Sequence, residues 1–258
     1  MSSIDKLFDV RGRVVAITGG GGLLCGTMAR ALGSMGCHVM ILDRTEEAAS
    51  QVTNDIQHNG GSASYCAIDV TKKNDWQEAL KKILDRYGRV DILINGAGIN
   101  APTPLLEIRE AEWDAILAVH VKGTLFGCQV FGGQMFKQGK GSIINISSAS
   151  SGPPLSKAFA YSVAKAGIKN LTQNIAREWA TKGVRVNALR PGFFPTEWNR
   201  KNFITPERGA AILGHTPMGR YGEPEELVGA VIWLASDAAS FVTGAEIAVD
   251  GGFSCMTI

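Results

Sequence analysis

Arg13-Val-Val-Ala-Ile-Thr-Gly-Gly-Gly-Gly22, continuing into Leu23-Leu-Cys-Gly-Thr-Met28, is the stretch that decides how this chain folds. Its β-branched, apolar start reads as a buried strand, and apolar spacing from Leu24 to Met35 has the period of a helix. The glycines between them let backbone N–H groups come close to a pyrophosphate, and the positive end of the following helix favours its charge. A plain tight turn between strand and helix reads the same way, so the rest of the chain decides its meaning.

The downstream sequence repeats the unit. Strand-like runs at Arg13 to Thr18, His38 to Asp43, Ala63 to Asp69, Ile92 to Asn95, Ser142 to Ser147, Arg185 to Leu189 and Glu246 to Val249 alternate with helical patterns. The helices are expected at Leu24 to Met35, Glu46 to Asn59, Asn74 to Tyr87, Glu110 to Phe136, Phe159 to Thr181 and Glu225 to Ala235. Alternation of this kind predicts an α/β protein, a doubly wound Rossmann fold with a largely parallel seven-stranded sheet flanked by helices on both faces. Residues 1–258 are expected to form a single domain for both dinucleotide binding and catalysis. Only residues 191–222 break the rhythm, with four prolines, several aromatics and no clear strand, as a substrate-binding loop or lid does.

Composition narrows the class. The 258 residues are 45% apolar with a net charge of +2, and no dense basic cluster suggests a nucleic-acid partner. No apolar run reaches the ~18 residues that span a bilayer, and the start, MSSIDKLFDV, lacks the apolar core of a signal peptide. No membrane association and a cytoplasmic location are therefore expected. Cys25, Cys37, Cys66, Cys128 and Cys255 are scattered and never spaced as CxxC, so neither disulfides nor a metal site is predicted.

The carboxyl ends of the strands carry the candidate cofactor residues. Asp43 lies twenty-four residues after Gly19, close to the interval for a carboxylate that hydrogen-bonds the adenosine ribose. Such a carboxylate repels a 2′-phosphate and favours NAD, whereas Arg44 beside it can stack on adenine or pair with a phosphate, which keeps NADP open. Asp69 can accept a hydrogen bond from the adenine amino group or cap a turn, with Val70 next to it. Small residues in Asn95-Gly96-Ala97-Gly98 let a cofactor pass close to the sheet, and Pro191, Gly192, Phe194 and Thr196 follow the sixth strand, Thr196 placed to hold a carboxamide.

Tyr161-Ser-Val-Ala-Lys165 sets a phenol and an ammonium four residues apart, neighbours on one helix face. A fixed cation favours the phenolate, and a phenol with a pKa moved toward neutrality suits acid–base catalysis. Common helix surfaces also show this spacing. The added signal is Ser148, thirteen residues upstream at a strand end, where a loop can bring its hydroxyl to the phenol.

Taken in order, Thr18-Gly19, Asp43, Asp69-Val70, Asn95-Gly-Ala-Gly98, Ser148, Tyr161 with Lys165, Pro191-Gly192, Thr243-Gly244 and Val249-Asp-Gly-Gly252 resemble the short-chain dehydrogenase/reductase family, in its single-domain form. The resemblance implies an NAD(P)-dependent oxidoreductase that interconverts a secondary alcohol and a ketone. It implies that Tyr161 is the general acid–base, that Ser148 binds the reacting oxygen, and that Tyr161 and Lys165 also contact the cofactor, Lys165 through the nicotinamide ribose. Two departures stand out. Leu23 and Cys25 occupy slots where the family commonly has glycine, so pyrophosphate contact falls to Gly19, Gly22 and the N–H groups of Leu23 and Leu24, and Cys25 is expected to crowd the helix against the strand. His120 occupies the slot of a catalytic asparagine; as a group that titrates near neutral pH it can keep a proton relay, or be a buried, inert histidine.

Gly219-Arg-Tyr-Gly-Glu-Pro-Glu225 and Phe193-Phe-Pro-Thr-Glu-Trp-Asn199 look like bacterial sugar-acid oxidoreductases of the D-mannonate (fructuronate reductase) type. Arg200, Lys201, Arg208 and Lys157 are candidate partners for a substrate carboxylate, and Trp198 can stack on a sugar face. Phe193, Phe194 and Phe203 equally suit a packed lid or an apolar substrate such as a 3-oxoacyl thioester, steroid or small diketone. A nicotinamide-binding sensor without chemistry is the reading from another class. The resemblance further implies a homotetramer, assembled through the apolar helix Leu227 to Ala235 and the last strand.

Overall fold

The computed structural model describes residues 3–153 and 155–256, and the Trp198 side chain lies outside the described residues. Seven strands form the sheet: β1 (Val14–Thr18), β2 (His38–Asp43), β3 (Ser62–Ala67), β4 (Ile92–Asn95), β5 (Gly141–Ile146), β6 (Val184–Pro191) and β7 (Glu246–Val249). They lie in the order β3-β2-β1-β4-β5-β6-β7, and every pairing is parallel. The chain winds outward from β1 to β3 and then returns to the other side of β1 at β4. Strand order reverses there, and the two flanking connections diverge to leave a crevice at the carboxyl ends.

Successive residues of β1 show why both faces are covered. Val15 and Ile17 pack with Met28, Leu32, Val52, Ile56, Val231 and Leu234 from helices Leu23–Ser34, Glu46–His58 and Val228–Ala235. Val14 and Ala16 point the other way, into a layer with Trp76, Ile83, Phe131 and Met135 from helices Lys73–Tyr87 and Glu110–Gln138. Helix Phe159–Trp179 completes that second layer. Each large side chain buried this way contributes roughly 1.5–3 kcal/mol. The largest, Trp76, is fully buried; its indole N–H donates to the Val70 carbonyl at 2.9 Å and its ring meets Phe131 edge-on at 5.7 Å.

Three details differ from expectation. Strand β3 stops at Ala67 rather than Asp69, because its partner β2 ends opposite it at Asp43 and the chain then turns. Residues 191–222 contain two helices, Glu197–Asn202 and Pro206–Gly214, begun by Thr196 and Thr205, whose hydroxyls accept the N–H groups of Asn199 and Arg208. Helix Glu110–Gln138 has the length and mean hydropathy, 1.3, of a bilayer span, contrary to the expectation that no segment would; half of its apolar window is buried within the fold. This helix widens into π-turns at Ala118–Lys122 and Cys128–Gly132, and the first carries His120.

Candidate active site

The carboxyl ends of the central strands open into a cavity of about 710 Å³, with the glycine turn at one end and Ser148, Tyr161 and Lys165 at the other. Gly19 adopts φ +66°, and a Cβ there would stand 3.0 Å from the Ala97 Cα, so the turn and the end of β4 touch main chain to main chain. Gly22 caps helix Leu23–Ser34. The first N–H groups of any helix lack intrahelical partners, which makes Leu23 and Leu24 donors at the cavity wall. The Asp43 carboxylate accepts the Gly21 N–H and the Thr45 N–H, each at 3.0 Å. It therefore fastens the glycine turn to β2 while facing the cavity beside Arg44.

Cys25 does not push the helix off the strand. A Cβ at Gly96 would lie 2.2 Å from the Cys25 Sγ, so the thiol fills the space that the missing side chain of Gly96 leaves at the end of β4. Burial pushes this thiol up to about 12. The glycine has in effect moved from the helix to the facing strand.

Of the singled-out cofactor residues, Asn95 alone is not in the cavity wall. It is 4% exposed and its Nδ2 donates to Asn145 Oδ1 at 2.9 Å; Asn145 in turn donates to Thr172 Oγ1 at 2.9 Å. Asn95 thus ties β4 to β5 and to helix Phe159–Trp179 beneath the site. Gly96 and Ala97 do face the cavity, their N–H groups shared by Thr18 Oγ1 at 3.0 and 3.2 Å. Asp69 and Val70 line it too, and Asp69 Oδ1 accepts from both the N–H and hydroxyl of Thr71, which holds its carboxyl below the usual range. Pro191 pairs with Val249, and Gly192 lies so close to Asp250 that a Cβ would come within 2.6 Å of its Cα. Phe194 reaches the wall but is only 8% exposed and packs over Gly222, while the Thr196 hydroxyl is engaged by Asn199.

Ser148 follows β5 and hydrogen-bonds the Tyr161 phenol, and its Oγ also accepts the Ser150 N–H at 3.2 Å. Lys165, 3% exposed, donates to the Ile146 carbonyl at 2.6 Å and places its ammonium 5.5 Å from the centre of the Tyr161 ring. Spacing brings the pair together, but it does not acidify the phenol here. Burial pushes Tyr161 up, opposed by the Ser148 hydrogen bond, and lowers Lys165 from 10.5 to about 8.

His120 meets the Tyr161 ring edge-on at 5.2 Å and is 1% exposed. Burial first, and the Lys165 charge second, pull it down to about 3, so it is neutral at pH 7 and does not titrate near neutrality as its type suggests. Its Nε2 lies 2.7 Å from the Ile99 carbonyl oxygen and 3.1 Å from the Ile99 nitrogen. A protonated Nε2 donates to the carbonyl and a bare one accepts from the amide, so either tautomer stays anchored.

The candidate carboxylate partners stand elsewhere. Arg208 donates to the Ser156 hydroxyl and carbonyl at 2.8 and 3.0 Å and stacks on Phe203 at 3.9 Å, and Arg200 lies over Tyr221. Among the described residues, neither these two nor Lys157 and Lys201 line the cavity. Its wall at the Tyr161 end instead includes Asn100, Asn199, Leu155, Phe203 and Ile204. Asn100 and Asn199 belong to no spacing pattern, and only the folded loop brings them inward.

Gly96→Ala is expected to lower the melting temperature and weaken dinucleotide binding, and Cys25→Ala in the same chain to restore part of both. Recovery is partial because the Thr18 carbonyl also lies 2.9 Å from the added methyl; thermal melts and fluorescence titrations of the single and double variants check this. Lys165→Met is expected to raise the melting temperature at pH 7. Lys165 is charged in both states below about 8 and neutral in both above 10.5, so its desolvation penalty, and with it the difference between the two proteins, shrinks as pH rises through that window.

Comparison with known proteins places this geometry. The profile described as enoyl-(acyl carrier protein) reductase matches residues 24–254. An uncharacterized oxidoreductase, UxuB, of Bacillus subtilis is 39% identical over 95% of this chain and 96% of its own. Among solved structures, a gluconate 5-dehydrogenase from Burkholderia cenocepacia J2315 in complex with NADP and tartrate superimposes with a TM-score of 0.93 at 34% identity, covering 98% of this chain and 99% of that one. A proposed D-mannonate oxidoreductase from Haemophilus influenza with bound NAD gives 0.90 at 34% identity, covering 99% of each chain. With its parallel sheet and near full-length likeness to these dehydrogenases, the chain belongs to the short-chain dehydrogenase/reductase family and is an NAD(P)-dependent oxidoreductase acting on CH–OH groups.

Proposed function

We propose that this enzyme interconverts a secondary alcohol and a ketone on a sugar acid or polyol, with Tyr161 as its acid–base group and NAD as its preferred cofactor. The observation that carries the proposal is the meeting of Ser148, Tyr161, Lys165 and His120 at one end of a cavity whose other end is the glycine turn and Asp43. Bound nicotinamide supplies or accepts the hydride. In the reductive direction Tyr161 gives its proton to the forming alkoxide, and in oxidation its phenolate takes the hydroxyl proton. The Ser148 hydroxyl stabilises the oxygen as charge develops on it. Lys165 would hold the cofactor ribose, its ammonium fixed by the Ile146 carbonyl. Neutral His120, anchored to Ile99 through Nε2 and set edge-on to the Tyr161 ring, is the proposed link between the phenol and the protons of the solvent.

Asn100 and Asn199 offer both donors and acceptors, which suits a chain of hydroxyls. The gluconate 5-dehydrogenase and the proposed mannonate enzyme, similar over the whole chain, support sugar acids of the D-mannonate or fructuronate kind. Leu155, Phe203 and Ile204 favour the second reading, a less polar ketone. Residues 1–258 act as one unit in this proposal, and 191–222 is its substrate-binding segment. Solution as a cytoplasmic homotetramer fits the apolar helix Val228–Ala235 and the position of β7 at the sheet edge.

Initial rates on aldonates, ketouronates, polyols and simple ketones, with NAD and NADP side by side, test the substrate class; activity confined to apolar ketones would overturn it. Tyr161→Phe is expected to lower turnover roughly 10²–10⁴-fold with little change in dinucleotide affinity. Asp43→Ser is expected to weaken both cofactors, because Gly21 and Thr45 lose their acceptor, but to shift the ratio of kcat/KM values toward NADP. An unchanged ratio would remove Asp43 from cofactor choice.

A further inference from the structure

Glu246 is the first residue of β7, and its side chain is 9% exposed. Its Oε1 accepts the hydroxyls of Ser147 and Ser151, each at 2.8 Å. Its Oε2 pairs with Arg190 at 3.1 Å and Lys169 at 3.4 Å. A carboxylate so far withdrawn from water persists only with such compensation. The origin of the four partners is the informative part. Ser147 and Ser151 bracket Ser148; Lys169 lies one turn beyond Lys165 on the same helix; Arg190 immediately precedes Pro191 and Gly192. One buried carboxylate therefore gathers the three segments that carry the reacting groups and the cofactor wall.

The Ser148 turn needs such an anchor. Within Ala149–Ser151 its closure rests on the Ser151 N–H to Ser148 carbonyl bond at 2.9 Å and the Ser150 N–H to Ser148 Oγ bond. Glu246 adds a side-chain anchor on each flank.

We infer that Glu246 is a positioning residue for hydride transfer, holding the Ser148 hydroxyl against Tyr161 through Ser147 and Ser151. This rests on the proposed roles of Ser148 and Tyr161. The Ser148 hydrogen bond opposes the effect of burial on the phenol, so a displaced Ser148 leaves a weaker acid. Glutamine at 246 keeps one acceptor oxygen for the hydroxyls and loses the charge that faces Arg190 and Lys169, which makes it the conservative variant.

The experiment measures oxidation rates against pH, with saturating dinucleotide, for the full-length enzyme, Glu246→Ala, Glu246→Gln and the double variant Ser147→Ala/Ser151→Ala, each also in a Ser148→Ala background. Expected for Glu246→Ala and for the double serine variant is a loss in kcat of about tenfold or more, exceeding any rise in cofactor KM, with the half-maximal point of the oxidation profile moved to higher pH. Glu246→Gln is expected to recover part of the rate. In the Ser148→Ala background the same changes are expected to add little, since the group they position is gone. Should Glu246→Ala fail to fold, the double serine variant decides alone, because it leaves the ion pairs in place. Wild-type rate and profile in the double serine variant, or an equal fractional loss with and without Ser148, would overturn the inference. Retained turnover in Tyr161→Phe would instead overturn the catalytic reading beneath it.

Discussion

A parallel sheet covered by helices on both faces leaves its polar chemistry one place to go. Residues on β1 and β4 are buried position by position, so a charged or hydroxylated group there would be stranded without water. Function is confined to the strand ends, and the reversal of order between β1 and β4 decides which ends diverge enough to admit a ligand. Some polar side chains inside the core are linked to one another instead. Asn95 donates to Asn145 and Asn145 to Thr172 in a line that crosses two strands and a helix, and this line fixes the floor on which Lys165 and Tyr161 stand.

Desolvation governs the site more than charge pairing does. Lys165 sits in a place that resists its own charge, Tyr161 in one that resists ionisation, and His120 in one that keeps it neutral. A pocket of this kind favours the neutral form of each group, so a charge that forms there during reaction depends on the hydrogen bonds fixed around it. Hydrogen bonds to fixed main-chain atoms, Ile146 for Lys165 and Ile99 for His120, keep the distances set while protonation varies.

Much of this was legible in the residues. Short apolar, β-branched runs and period-3.6 patterns located all seven strands and the main helices, because burial of apolar side chains dictates both. The cavity wall follows from strand ends, and Gly19, Asp43, Ser148, Tyr161 and Lys165 were found in it for that reason. The rest was hidden by causes that leave no periodic trace. Asn95 shares a motif with Gly96 and Ala97, yet it is still part of β4 and points into the core, whereas those two lie beyond the strand end. Arg208 is drawn to Ser156 and Phe203 by a loop fold that no spacing encodes. The direction of the Tyr161 shift depends on how much water the surroundings exclude, which a four-residue interval does not report. Glu246 is 98 residues from Ser148 in sequence and meets its neighbours only across the sheet.

The exchange of bulk between Cys25 and Gly96 bears on how such a site changes over time. A glycine helix facing a larger strand residue and a cysteine helix facing glycine both fill the same space. A chain with bulk on both sides collides, whereas one with glycine on both leaves only a small void. Drift between the two arrangements is therefore funnelled through the doubly small intermediate, and each residue limits what its partner can become. The two positions inherit as a unit, although seventy residues of sequence lie between them.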